Sequence, residues 1–262
     1  MTPTPAKSPV IALLTDFGMR DWYVGTLKGV LLSAVPGATL VDITHDIPPQ
    51  DIVAGAFTLA AAVPWFPLGT IFVAVVDPGV GSHRALLAAE ADGRFFVGPD
   101  NGLLTLAFER VKHLSIVKLT QAQYWMKSVS QTFQGRDIMA PVAGHLARGI
   151  ALRQLGVPVT RVERLALPAM QRRGRRLEGC IVHIDAFGNL ITNLPASVLT
   201  PRTVVKLRDR KARVVSSYME GRPRELVAVA GSLGLVELAI REGSAAWVLE
   251  AKREERVECG EA

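Results

Sequence analysis

The 262-residue chain has only two cysteines, Cys180 and Cys259, and neither stands in a CxxC or a Cys/His cluster. A structural zinc site therefore has no ligand spacing to use. A disulfide is possible but not implied; Cys180 reads as a buried thiol and Cys259 as an incidental one. No stretch reaches the roughly 18 continuous apolar residues of a membrane helix. The opening MTPTPAKSPV lacks the apolar core of a secretory signal. It reads as a short disordered lead-in to a cytoplasmic protein. Several catalytic signatures are missing too. No Gly-Lys-Ser/Thr follows the glycines of DPGVG, and no GxGxxG opens a helix, so P-loop and dinucleotide readings fail. There is no GxSxG elbow and no HExxH helix. The five histidines, His45, His83, His113, His145 and His183, have no shared ligand spacing.

What is present is an ordinary globular composition, 49% apolar and 21% charged, long enough for one large domain or two modest ones. Charge is uneven. Residues 1–150 carry 11 basic and 11 acidic side chains, whereas residues 151–262 carry 19 and 13. The excess gathers in the run Arg161–Arg176. A basic run suits nucleic acid, but no aromatic residues interleave this one to stack on bases. A solvated segment between domains is the simpler reading.

The first 150 residues alternate two patterns. Val10–Leu14, Thr39–Ile43 and Thr70–Val76 are strand-like, the last a β-rich run; Asp21–Ala34 and Asp51–Val63 have helical spacing. This β-α-β-α-β order predicts an α/β domain with a mostly parallel sheet. Shorter strands are expected at Leu86–Ala89 and Phe95–Val97, with Asp92-Gly93 as a hairpin turn. Helices are expected at Leu103–Glu109 and at 136–149, the latter interrupted early by Pro141. After about residue 175 only short strands are expected, at 179–185, 203–207, 212–216, 226–230, 235–240 and 245–249. They predict an all-β barrel or sandwich. The reading is two domains, 1–165 and 176–262, joined through the basic segment.

Polar clusters stand where the parallel strands end, the usual place for a ligand. They are Thr15-Asp16-Phe17-Gly18, Asp42-Ile43-Thr44-His45-Asp46 and Asp77 to Arg84. Their carboxylates suit Mg²⁺, ribose hydroxyls, or plain turn and cap duty. Gly98 to Gly102 is a strong turn, and Thr132 to Asp137 precedes a helix. Asp185-Ala186-Phe187-Gly188-Asn189 spaces an acid, a ring and an amide at alternating positions, which in an extended segment share a face. Such a face suits a ligand with an ammonium group and a purine; a β-turn with a packed Phe is the alternative.

Taken together these clusters resemble the S-adenosylmethionine hydroxide adenosyltransferase family, whose relatives include the fluorinase and chlorinase. The motifs are TDFG with DWYVGTLKG, VDITHDI, VVDPGVGSHR, VGPDNGLL, TFQGRD with the following AP, and IDAFGNLITN, with a looser match in GSLGLVELAIREGSA. The resemblance implies an α/β N-terminal domain, an all-β C-terminal barrel, and a homotrimer with each site between one subunit's N-domain and its neighbour's C-domain. It implies that S-adenosylmethionine is the substrate, adenosine and methionine the products, and that no cofactor or metal is needed. No nucleic-acid or membrane partner is expected, given the basic run without aromatics and the lack of a long apolar run. The resemblance gives Asp16 the ribose hydroxyls, Asp185 the methionine ammonium, Phe187 the adenine face, Asn189 an adenine edge and Ser232 the methionine carboxylate. Asp77 and Arg84 match residues that handle the attacking water. The family's histidine in TFHGRD is Gln134 here, which cannot take a proton near neutral pH. The expectation is a hydrolase slower than a His-bearing member; the alternative is a non-catalytic S-adenosylmethionine-binding protein. The halogenating relatives carry an aromatic residue at the Asp77 position and a serine at the Gly135 position, so the resemblance favours water over halide.

Overall fold

A computed structural model describes residues 8–109, 111–174 and 176–261. Most of the expected N-terminal lead-in, residues 1–7, lies outside the described residues. The chain divides into two compact units, Met1–Leu165 and Ala166–Ala262.

The first unit is built on strands β1 (Val10–Thr15), β2 (Thr39–Thr44), β3 (Ile71–Val75), β4 (Leu86–Ala91), β5 (Arg94–Pro99), β6 (Leu114–Leu119) and β7 (Gly156–Pro158). Its helices are α1 (Tyr23–Ala34), α2 (Ile52–Ala62), α3 (Thr105–Phe108) and α4 (Ala140–Ala147). The sheet order is β2-β1-β3-β5-β4-β6-β7. Pairings from β2 through β5 are parallel, and those of β4, β6 and β7 are antiparallel. The β4–β5 hairpin turns at Asp92-Gly93, both with positive φ, as an Asp-Gly turn requires.

The unbroken apolar runs of β1 and β3 have a direct cause: both faces of the sheet are covered. Ile11, Leu13, Val73 and Val75 point into a core with Leu27 and Leu31 of α1 and Val142 and Ala143 of α4. Ala12, Leu14, Phe72 and Ala74 point the other way, into a core with Ala56 and Leu59 of α2 and Leu103. Each fully buried aliphatic side chain contributes about 1.5–3 kcal/mol relative to exposure. The helix expected over 136–149 begins instead as one wide π-type turn, Gly135–Met139, running into α4. The Asp137 carbonyl there accepts Met126 N–H at 2.9 Å.

The second unit contains β8 (Gln171–Arg173), β9 (Arg176–Ile184), β10 (Leu190–Pro195), β11 (Thr203–Leu207), β12 (Arg210–Val214), β13 (Leu226–Ala230), β14 (Leu235–Ile240), the short helix α5 (Ala245–Leu249) and β15 (Arg256–Glu261). Strands β10-β14-β13-β12-β11-β15-β9 form a ring that closes because β9 also pairs with β10; β8 adds to β9 outside the ring. Ile181, Leu190, Val205, Leu238 and Val257 fill the barrel.

Two features differ from the sequence reading here. Residues 245–249 are helical, not a strand: Ser244 Oγ accepts the Trp247 N–H at 3.1 Å and caps the turn. Part of the basic segment forms a strand, β8, paired with β9, while its side chains stay exposed; Arg173 of β8 lies 3.2 Å from Glu178. Among the described residues no helix is long and apolar enough to cross a membrane.

Candidate active site

In the first unit the chain leaves β1 toward β2 on one side and β3 on the other. The carboxyl ends of β1 and β3 therefore flank a point where strand order reverses, the usual crevice for a ligand in an open α/β sheet. Asp16 follows β1 and Asp77 follows β3. Behind them, Asn101 Nδ2 donates to the Val76 carbonyl at 2.9 Å and Asn101 Oδ1 accepts Leu103 N–H at 3.1 Å. The NGLL motif thus ties the 98–102 turn to the end of β3.

The DPGVGSHR loop folds back on itself. Val80 N–H donates to the Asp77 carbonyl and Ser82 N–H to that of Gly79. Gly81 has φ +81° and a Cβ there would lie 2.7 Å from the Gln131 carbonyl oxygen, so only glycine suits it. The fold-back returns Arg84 to Asp77. Arg84 Nε donates to Asp77 Oδ1 at 2.5 Å, and Nη2 donates to Asp77 Oδ2. Both side chains are nearly buried. Nη2 also donates to Gln134 Oε1 at 2.8 Å. Arg84 thus bridges Asp77 and Gln134, the two residues grouped with it by the family resemblance.

Gln134 enters through the TFQGRD motif. Phe133 packs at 5.7 Å from Phe17 and 5.2 Å from Tyr23, ring centre to ring centre. Arg136 sits 4.9 Å over the Phe133 ring and pairs with the fully buried Asp137. Asp137 Oδ2 accepts Ser130 N–H at 2.7 Å. Burial pushes the Asp137 carboxyl up, but the Arg136 and Ser130 hydrogen bonds outweigh it, and the group lies below the usual carboxylate range. This pair organises the loop beneath Gln134; its spacing carried no signal of that role.

Asp16 Oδ2 accepts Gln50 N–H at 2.8 Å, which still leaves acceptor capacity on both oxygens. Asp42 is committed elsewhere, to Lys28 at 2.6 Å and His45 at 3.1 Å. Among the described residues no three His, Cys, Asp or Glu side chains gather as a metal-binding group.

In the second unit the DAFGN segment is a turn between β9 and β10, so its residues do not share an extended face. Asp185 Oδ1 accepts the N–H groups of Phe187 at 2.9 Å and Asn189 at 2.8 Å, and Oδ2 accepts Asn189 Nδ2 at 2.9 Å. An acid that caps its own turn overrides the alternating pattern. Gly188 has φ +80° and packs so closely on Ser244 that a Cβ would meet Oγ at 1.9 Å. Phe187 is not packed: it is 80% exposed. Ser232 lies in the exposed β13–β14 turn, closed by Gly234 N–H to the Gly231 carbonyl at 3.0 Å. Behind that turn, Tyr218 Oη donates to the buried Glu237 at 2.7 Å, a pair the sequence reading missed although Glu237 interrupts the apolar strand LVELAI.

Comparison with known proteins fits both units. The SAM hydroxide adenosyltransferase N-terminal domain matches residues 11–156 and its C-terminal domain residues 179–258. The chain is 39% identical over 244 residues to a Thermus thermophilus protein named (R)-S-adenosyl-L-methionine hydrolase, covering 90% of this chain and 93% of that one. It is 37% identical over 248 residues to a Salinispora tropica protein of the same name, covering 93% and 95%. A fluorinase from Nocardia brasiliensis is 30% identical over 227 residues, 74% of each chain. A crystal structure of an uncharacterized conserved protein from Thermotoga maritima superposes with a TM-score of 0.89 at 33% identity, covering 95% of this chain and 99% of that one.

Proposed function

The chain belongs to the SAM hydroxide adenosyltransferase family, and from that premise we propose that it hydrolyses S-adenosylmethionine at the ribose C5′, giving adenosine and L-methionine. The observation that carries this reading is the contact of Asp77, Arg84 and Gln134 at the strand-order reversal.

The sulfonium is already a good leaving group, so displacement needs no general acid. It needs a water held in line and help in losing a proton. Both Asp77 oxygens are engaged by Arg84, yet each keeps a lone pair for a water hydrogen. Gln134 turns its carbonyl oxygen to Arg84, so its NH₂ is free to donate to the same water. A water that donates to Asp77 and accepts from Gln134 retains one lone pair for attack. The O–C5′ bond forms and the C5′–S bond breaks. Sulfur keeps the bonding pair as the thioether of methionine, and the water proton passes to Asp77. Gln134 holds the water without accepting its proton. A carboxylate in the cluster and glycine at position 135 disfavour a halide nucleophile.

Substrate contacts follow the family resemblance. Asp16 holds the ribose hydroxyls, Asp185 the ammonium, Phe187 the adenine face, Asn189 an adenine edge and Ser232 the methionine carboxylate. The exposed Phe187 ring supports its role. So does the Asn189 amide, whose NH₂ bonds Asp185 and leaves its carbonyl oxygen for a ligand donor. A homotrimer and a cytoplasmic location belong to the same proposal.

The test is incubation of the purified protein with each sulfonium epimer of S-adenosylmethionine in chloride-free buffer, following nucleosides by chromatography. Adenosine from wild type that is lost in Asp77→Asn supports hydrolysis. Binding without adenosine would replace it with a non-catalytic binder.

A further inference from the structure

Asp16 rides on a four-residue turn, and what holds that turn lies beneath it. Thr15 is fully buried and His45 is 3% exposed. Thr15 Oγ1 accepts the Phe17 N–H at 3.2 Å and lies 2.8 Å from His45 Nδ1. With Phe17 N–H on one lone pair, the hydroxyl keeps its hydrogen and a second lone pair, one of which meets Nδ1 according to the imidazole tautomer. His45 Nε2 stands 3.1 Å from Asp42 Oδ1, a close electrostatic contact without hydrogen-bond alignment. Asp42 Oδ2 accepts Lys28 Nζ at 2.6 Å. The backbone repeats the stitching: Gly18 N–H donates to the His45 carbonyl at 2.8 Å and Ile47 N–H to that of Thr15 at 3.4 Å. A chain of contacts therefore runs from the surface pair Lys28–Asp42 inward through the buried His45 and Thr15 to Phe17, and fixes both sides of Asp16.

We propose that His45 is a positioning residue for ribose recognition: through the Thr15 hydroxyl it holds the turn that aims Asp16 at the ribose diol. This rests on the reading of Asp16 given above. His45 touches no substrate and moves no proton in the reaction. A buried imidazole is suited to the task because it joins a hydroxyl on one loop to a carboxylate on a strand with a rigid ring. The turn it holds cannot be held by apolar packing alone, since Phe17 N–H and Thr15 Oγ1 need partners away from water.

The consequence is a ligand-selective defect. Losing a hydrogen bond between neutral groups costs about 0.5–1.5 kcal/mol, roughly 2- to 10-fold in affinity. Adenosine and 2′,3′-dideoxyadenosine are titrated calorimetrically into wild type, His45→Phe, His45→Asn and Thr15→Val, with folding checked by circular dichroism. Wild type prefers adenosine. His45→Phe weakens adenosine by about three- to tenfold and dideoxyadenosine by less than about twofold. His45→Asn, whose amide reaches the Nδ1 position, recovers most of the loss. Thr15→Val gives the same selective loss and serves if His45→Phe does not fold. A diol-dependent wild type whose folded variants lose both ligands equally, or lose neither, would overturn the role of His45 alone. A wild type that binds the two nucleosides alike would overturn the placement of the ribose at Asp16 as well.

Discussion

Replacing Gln134 by histidine puts a proton acceptor where the structure has none. Gln134 Oε1 takes one hydrogen bond from Arg84 Nη2 at 2.8 Å and its NH₂ cannot accept. A neutral imidazole has one acceptor nitrogen to offer the attacking water. General-base assistance is typically worth about 10²–10⁴-fold. The guanidinium of Arg84 is adjacent, and a neighbouring positive charge disfavours the imidazolium. That keeps the ring unprotonated near neutral pH but weakens it as a base, so the gain falls at the low end, roughly 100-fold in kcat. Initial rates of adenosine release at saturating substrate, measured from pH 5 to 9, check this. The gain should fade as pH drops below the ordinary histidine value of about 6.5. A folded Gln134→His variant with no gain at any pH would refute the reasoning, since water activation would then not be limited by the missing base.

Arg84→Lys keeps the charge but cannot bridge both Asp77 oxygens and Gln134; its activity should drop roughly 10- to 100-fold, with adenosine affinity little changed in calorimetry. Asp137→Asn removes the Arg136 pair and should lower stability by about 1.5–3 kcal/mol in urea titrations at pH 7. Because the folded Asp137 carboxyl lies below its unfolded value, wild-type stability from this group is present above pH of about 4 and is lost as pH falls through the folded value. The variant should therefore lose less on acidification. Gly81→Ala forces a Cβ against the Gln131 carbonyl at positive φ and should cost about 1–3 kcal/mol, seen as a lowered Tm.

The parts of the fold legible in the sequence are those whose burial is complete. β1 and β3 read as strands because both faces are covered, and their ends carried the polar clusters. Strands β6, β7, β8, β10 and β15 escaped notice because they are short or mix apolar with charged and turn-forming residues, as in RVECGE. Helix α5 is five residues of AAWVL, too short for periodicity; the Ser244 cap and the left-handed Glu250 decide it. The DAFGN segment reads in sequence as an extended face or a β-turn with a packed Phe; Asp185 capping makes it the turn, but the Phe187 ring stays exposed. Arg84 and Gln134 stand 50 residues apart, so no local spacing joins them; their contact depends on the DPGVG fold-back and the buried Arg136–Asp137 pair. Resemblance supplied that grouping where periodicity could not.

The central claim is that water attacks C5′. Running the reaction in heavy-oxygen water and locating the label by mass spectrometry tests it most directly. The account predicts one heavy oxygen in adenosine and none in methionine. Unlabelled adenosine, or label in methionine, would contradict it.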